Sequence, residues 1–167
     1  GANLISFPTA GSVGISEGLP DDIEEHILVI MQAGHSALNT DNGWEGSLLN
    51  FEGLKGYWII SDSDVSFSYN IDELSRSALD FYKEAKPEGL NYTQSTEQAF
   101  YFVRDIIIPG EIVEKEDWIV SYCNGVLTGS RQWHDNFMDV PVMGADKSDL
   151  TMEYCRDGDT PTFKLIR

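Results

Sequence analysis

Residues Asp117–Trp133 read DWIVSYCNGVLTGSRQW, and this stretch decides the fold. Two β-rich runs, Trp118–Cys123 and Val126–Trp133, flank Asn124-Gly125. Both turn residues accept φ > 0, and Asn-Gly between such runs is the strongest short-range hairpin signal. In the first run Trp118, Val120 and Tyr122 share one face by period-two alternation, which marks that face as buried. Beyond the hairpin comes a long turn-rich passage containing Pro141 and Gly144. Two more short strands, Thr151–Cys155 and Thr162–Ile166, are expected around Asp157-Gly158-Asp159, itself a turn signal.

Working outward, β patterning returns on the N-terminal side at Ala99–Arg104, Ile106–Ile108 and Ile112–Val113. Further back, Val65–Tyr69 (VSFSY) alternates cleanly, with Val65, Phe67 and Tyr69 on one face. Gly56–Ile60, Trp44–Leu49, His35–Thr40 and Asn3–Phe7 read as strands, the last stopped by Pro8. Thr9–Gly18 is rich in Gly, Ser and Thr and reads as a loop. One helix is expected, over Pro20–Gln32. Pro20 suits a first turn, and Asp21, Asp22, Glu24 and Glu25 complement the positive end of the dipole. Ile23, Ile27, Ile30 and Met31 then form one apolar face at helical spacing, and Gly34 ends the element.

The expected fold class is mainly β and β-sandwich-like, with that one helix and two small β units packed together. The first unit is 1–70. A charged joint, 71–88, carries Leu74, Ala78, Leu79, Phe81 and Tyr82 and reads as a short helix or a linker. The second unit is 89–167. A single sandwich with the middle segment lying across it is the alternative.

The 167 residues carry 28 Asp and Glu against 11 Lys and Arg, a net charge of −17. Such a surface repels phosphate backbones and anionic headgroups, so neither nucleic acid nor a membrane surface is an expected partner. It favours solubility, cations and basic partners. No window reaches the roughly 18 apolar residues that span a bilayer. The start lacks the basic and apolar regions of a signal peptide. It begins Gly1-Ala2-Asn3 without Met, as a processed or excised piece of a longer polypeptide would.

Each chemical signal has a bland counterpart. Gly14–Gly18 matches G-x-S-x-G, but a nucleophile elbow belongs on a sharp strand-to-helix turn in a parallel α/β sheet, and no such pattern follows. His26, His35 and His134 have no i,i+4 partner and no Cys cluster, so a zinc site is not expected. His134-Asp135 reads as loop rather than dyad. Asp146, Asp149, Asp157 and Asp159, with Asp139 nearby, crowd the turns of the last third. Calcium favours oxygen-rich loops of this kind, and these four are the candidate ligands; solvated turn carboxylates are the alternative. Trp44, Tyr57, Trp58, Phe100, Tyr101, Phe102, Trp118, Tyr122 and Trp133 serve either a core or, where exposed beside Asp, Asn and Arg, a carbohydrate. Asn91-Tyr92-Thr93 fits a glycosylation sequon. Cys123 and Cys155 each end an expected strand. They are either a bridge closing a loop of about thirty residues, worth roughly 3 kcal/mol, or two buried thiols.

Six stretches resemble one recurrent module: GANLISFP at the start, GWEGSLLNFEGLKGYW (43–58), QSTEQAFYF (94–102), DWIVSYCNGVLTGSRQW (117–133), DVPVMGADKSDLT (139–151) and GDTPTFKL (158–165). The module is an uncharacterised extracellular β-rich one found near the ends of large surface or secreted proteins of marine bacteria, and in proteins of marine phages. The resemblance spans nearly the whole chain. It implies a secreted or surface-displayed piece of a larger protein and supplies no activity, ligand or catalytic residue. Related stretches carry Cys just after the Asn-Gly turn; here Val126 and Leu127 stand there, so a Cys123–Cys155 bridge would be this chain's own arrangement.

The expectation is therefore a non-enzymatic structural or adhesion module of an extracellular surface, fibre or virion protein. Its partners would be other protein chains or surface glycans, with self-association through its strand edges. A ligand-binding module, for carbohydrate or calcium, is the alternative. Calcium is the one cofactor considered.

Overall fold

The computed structural model describes residues 2–71, 86–134 and 137–167. The chain divides into two compact units, Gly1–Lys83 and Glu84–Arg167. Most of the expected joint, 71–88, lies outside the described residues. The protein is mainly β. Twelve strands and two single-turn helices are present among the described residues. No described helix is long and apolar enough to cross a membrane.

The first unit is built on an antiparallel sheet of β1 (Ala2–Ser6), β7 (Gly56–Ser61), β3 (Ile27–Gln32), β4 (His35–Thr40) and β5 (Gly43–Gly46), in that order. A small pair, β2 (Ser12–Gly14) and β6 (Asn50–Glu52), stands apart from it. Phe7, Leu19, Ile27, Ile30, Phe51 and Tyr57 are wholly buried at its centre. Tyr69 meets Phe7 and Phe51 edge-on, with ring centroids 4.9 and 5.1 Å away. Such edge-to-face pairs set the positive rim of one ring against the negative face of another.

The helix expected over Pro20–Gln32 is a single turn, α2 (Asp21–Glu24), after which the chain becomes β3. In a continued helix the Glu24 carbonyl would accept the amide of Leu28. Instead it accepts the side-chain amide of Asn39 at 2.9 Å, and the same amide group donates to the Ile27 carbonyl at 3.0 Å. The run Ile27–Met31 then pairs with β7 on one side and β4 on the other, where its β-branched side chains pack well. Gly34, at φ 75°, turns the β3–β4 hairpin rather than ending a helix. Val65–Tyr69, expected as a strand, joins no ladder. Its alternation survives as packing: Val65, Phe67 and Tyr69 lie against the core while Ser66 and Ser68 face solvent.

The second unit holds a sheet ordered β10 (Val126–Gln132), β9 (Trp118–Cys123), β12 (Thr162–Ile166), and the pair β11 (Met138–Met143) with β8 (Gln98–Val103). Asn124-Gly125 is the β9–β10 turn, with φ of 50° and 85°. Strand β9 is covered on both sides. Trp118 and Val120 pack with Leu90, while Ile119 packs with Trp133, Met138 and Val140. The expectation of one buried face was therefore too modest.

The passage expected as turns holds β11, all six of whose residues are buried. Pro141 sits in it without disrupting the pair with β8, and its carbonyl accepts the Ser121 hydroxyl at 2.8 Å. Between β10 and β11 the backbones run so close that a β-carbon on Gly129 would collide with the Pro141 carbonyl. Thr151–Cys155, expected as a strand, is instead a set of turns whose one ladder contact is a parallel bridge from Cys155 to Gly144. Ile106–Ile108 and Ile112–Val113 reduce to a bridge between Ile108 and Glu111 around Pro109-Gly110.

Candidate functional site

The second unit carries an open groove of about 1210 Å³. Its floor is formed by the β8–β11 pair, where Ala99 stands opposite Val142 and Tyr101 follows two residues along. One wall is Gly144–Ser148; the other is Cys155–Asp159 with Pro161. Thr96, Glu97 and Gln98 close the near end. Tyr101 is 40% exposed and its ring lies 5.1 Å from that of Phe163, which is 39% exposed. The two rings form an aromatic ledge.

The walls are irregular backbone, and specific bonds hold them. Cys123, at the end of β9, is joined to Cys155 by a disulfide, with Cα atoms 5.3 Å apart. The Cys155 carbonyl accepts the Ala145 amide at 2.7 Å, which ties the two walls together. Asp146 is the hub of the first wall. Its Oδ1 accepts the Thr151 hydroxyl at 2.5 Å and the Ser148 amide at 2.8 Å. Its Oδ2 accepts the Ser95 hydroxyl and the Thr96 amide, each at 3.1 Å. The Thr151 hydroxyl is the main reason this carboxyl titrates well below the usual carboxylate range, followed by the Ser148 and Thr96 amides. On the second wall Asp159 accepts the Arg156 amide at 2.9 Å. The Tyr154 hydroxyl accepts the Thr93 amide at 2.9 Å and so anchors the segment between the walls.

The four candidate calcium ligands are not brought to one point. Asp146, Asp157 and Asp159 line the groove, while Asp149 stands exposed outside it. Both oxygens of Asp146 are already engaged by protein donors. Among the described residues no three His, Cys, Asp or Glu side chains are grouped to hold a metal ion.

The remaining signals fall elsewhere. Ser16 of the G-x-S-x-G stretch is exposed on α1 (Ile15–Gly18), which follows β2 directly, so a strand-to-helix step does exist there. That strand belongs to an antiparallel pair, and the histidines of this unit hold other partners: His26 Nδ1 lies 3.1 Å from Asp62 and His35 Nδ1 3.0 Å from Ser47. Asp135, of the expected His134-Asp135 step, lies outside the described residues. Asn91 of the sequon is exposed. Of the aromatic candidates, Tyr57, Trp118 and Trp133 are core, and Trp58 and Tyr101 are exposed.

Gln98, Lys147 and Arg156 were not singled out by sequence reasoning, yet all three line the groove. The available signal was the Gln98–Phe102 alternation, which sets Ala99 and Tyr101 on one face as a small and a large residue side by side. Comparison with protein families, with curated proteins and with solved structures finds no match.

Proposed function

We propose that this chain is a non-enzymatic structural or adhesion module of a larger extracellular protein: a surface layer, a fibre or a virion appendage. The Cys123–Cys155 disulfide carries the reading. Disulfides form and persist in oxidising surroundings and are rare in the cytosol. The bridge stabilises a loop assembly that has little regular secondary structure of its own. Two of the acidic candidates in that assembly brace backbone, Asp146 for Thr96 and Ser148 and Asp159 for Arg156. The −17 charge suits a protein that stays dissolved at the surface of a particle in a salty medium.

Protease shaving of intact cells or virions of the source organism tests this. Peptides of this chain released without lysis, with Cys123 and Cys155 recovered as a linked pair, are the expected result. A chain found only in the lysate with both thiols free would overturn the assignment.

The second reading is a ligand-binding module of a secreted protein, for carbohydrate or calcium. The groove beside Tyr101 favours it, because an aromatic floor with polar walls is the usual make-up of a small-ligand site. Melting curves with calcium and with chelator separate the two ligands. A calcium site raises Tm as the ion is added, while a carbohydrate site leaves it unchanged until sugar is supplied.

A further inference from the structure

We infer that the groove of the second unit seats an uncharged oligosaccharide, with the Tyr101 ring as its platform. This rests on the carbohydrate form of the second reading and names its ligand class. The argument starts from the floor. Ala99, Tyr101 and Val142 share one face of the β8–β11 pair and give the groove apolar lining, and Tyr101 keeps 40% of its surface exposed. A pyranose ring has a face of C–H bonds that packs on such an aromatic surface, while its rim of hydroxyls needs donors and acceptors around it. The walls provide both kinds. Asp157 and Asp159 bring carboxylate acceptors, and Lys147 and Arg156 bring donors. Asp157, Arg156 and Lys147 are exposed; Arg156 Nη2 donates to the Met152 carbonyl at 3.2 Å, and the guanidinium carries further N–H donors.

Charge narrows the class. The lining holds Glu97, Asp146, Asp157 and Asp159 against Lys147 and Arg156, an excess of two negative charges. Carboxylated and sulfated glycans are repelled by such a lining, as phosphate chains are. The groove is open to solvent, which suits a short run of sugars rather than a single enclosed residue. The walls are also set before binding, by the disulfide, by the Ala145–Cys155 hydrogen bond and by the Asp146 hub. A preformed wall loses little conformational freedom when ligand arrives, and weak polar contacts then contribute more of their energy to affinity.

The test uses the full oxidised chain and isothermal titration. The neutral probes are hexasaccharides of glucose, galactose, mannose, xylose and N-acetylglucosamine, with alginate and carrageenan oligomers as the anionic set. At least one neutral probe is expected to bind, and the anionic set to bind more weakly. Tyr101→Ala should weaken that binding about tenfold or more, while Tyr101→Phe stays within about threefold. Asp157→Asn, on an exposed turn, provides a second variant should Tyr101→Ala disturb the Phe163 contact; about a threefold or greater loss is expected. Trp58→Ala, in the other unit, should leave affinity unchanged. Binding that persists in both Tyr101→Ala and Asp157→Asn, a preference for the anionic probes, or silence from every neutral probe overturns the assignment. None of these results bears on whether the chain is displayed on intact cells or virions, so the surface reading stands or falls separately.

Discussion

Arg131 and Asp139 form an ion pair inside the second unit, Nη2 to Oδ2 at 3.1 Å, with side chains 5% and 0% exposed. Arg131 Nε also donates to the Asp139 carbonyl at 3.0 Å, so one guanidinium grips both the side chain and the backbone of β11. The pair belongs to a polar seam between β10 and β11 that also holds Ser121 bonded to Thr128 and to the Pro141 carbonyl. A buried pair costs much to desolvate, and removing one partner strands the other charge. Asp139→Asn or Arg131→Met alone should therefore lower unfolding free energy by about 3–5 kcal/mol. The double change Arg131→Met with Asp139→Leu should cost clearly less than the sum of its singles. Urea melts of the three variants decide this; additive losses would show that the charges do not depend on each other.

Acid lability follows from Asp146. Its carboxyl titrates below the ordinary value of 3.8, first because of the Thr151 hydroxyl and then because of the Ser148 and Thr96 amides. A carboxyl depressed in the folded state favours folding above its unfolded pKa, and that contribution fades as pH falls from the unfolded value through the folded one. Wild-type stability should therefore fall as pH drops below about 4. Asp146→Asn should be less stable than wild type at pH 7, with the gap narrowing on acidification. Parallel Tm profiles from pH 7 to 2 check it; a gap of constant size would refute the role given to this carboxylate.

At the alkaline end the first unit should be the sensitive one. Burial pushes both Tyr57 and Tyr69 up to about 12 from 10.0. A raised folded pKa means that stability is full below the unfolded value and is lost as pH climbs through the folded one, so the window is pH 10 to 12. The two differ in what their hydroxyls do. That of Tyr57 accepts the Glu52 amide at 2.6 Å, whereas that of Tyr69 is buried with no hydrogen-bond partner among the described residues. Tyr57→Phe should cost about 1 kcal/mol at neutral pH, while Tyr69→Phe should be neutral or stabilising by up to about 1–3 kcal/mol. Loss of stability in Tyr69→Phe at pH 7 would mean that the hydroxyl has a role that its surroundings do not reveal.

How much of this was legible beforehand turns on particular residues. The β9–β10 hairpin was, because Asn124-Gly125 satisfies a local rule that tertiary packing has no reason to override. The helix error has a local cause too. Strand β3 slips register between Ile27 and Val29, leaving Leu28 as the extra residue of a bulge. Ile27 and Ile30 thus both end fully buried although they stand three apart, the spacing of a helix face. A bulge makes a strand imitate the helical period, and periodicity alone has no means of separating the two. Strand β11 was hidden by Asp139 and Pro141, residues that usually mark turns; here Arg131 neutralises one, and the carbonyl of the other takes the Ser121 hydroxyl. The groove was half legible. Three of its carboxylates were picked out, but for a metal. Their meeting with Tyr101 depends on a disulfide and a parallel bridge that join distant stretches of chain.

Self-association is the last prediction, and it concerns β1. Among the described residues this strand pairs with β7 alone and stands at the edge of the five-stranded sheet, with Leu4 63% exposed opposite the exposed Trp58. An edge strand offers unpaired backbone groups to another chain unless charge, proline or twist blunts it. Ala2–Ser6 has no charged residue, so blunting falls to the overall charge of −17. Like-charged chains repel over a Debye length of about 10 Å at 0.1 M salt and about 4 Å at 0.5 M. The protein should therefore sediment as a monomer at low salt and associate at about 0.5 M salt or with millimolar divalent cations. Truncation through Pro8 is a poor test, since it also removes Phe7, which is wholly buried and donates its amide to the Lys55 carbonyl. Leu4→Glu is better: it puts a charge on the edge and leaves the core intact. That variant should stay monomeric at the salt where wild type associates. A wild type that remains monomeric at every salt concentration, with or without divalent ions, would leave β1 a blunted terminus and remove strand pairing from the ways this module meets its neighbours.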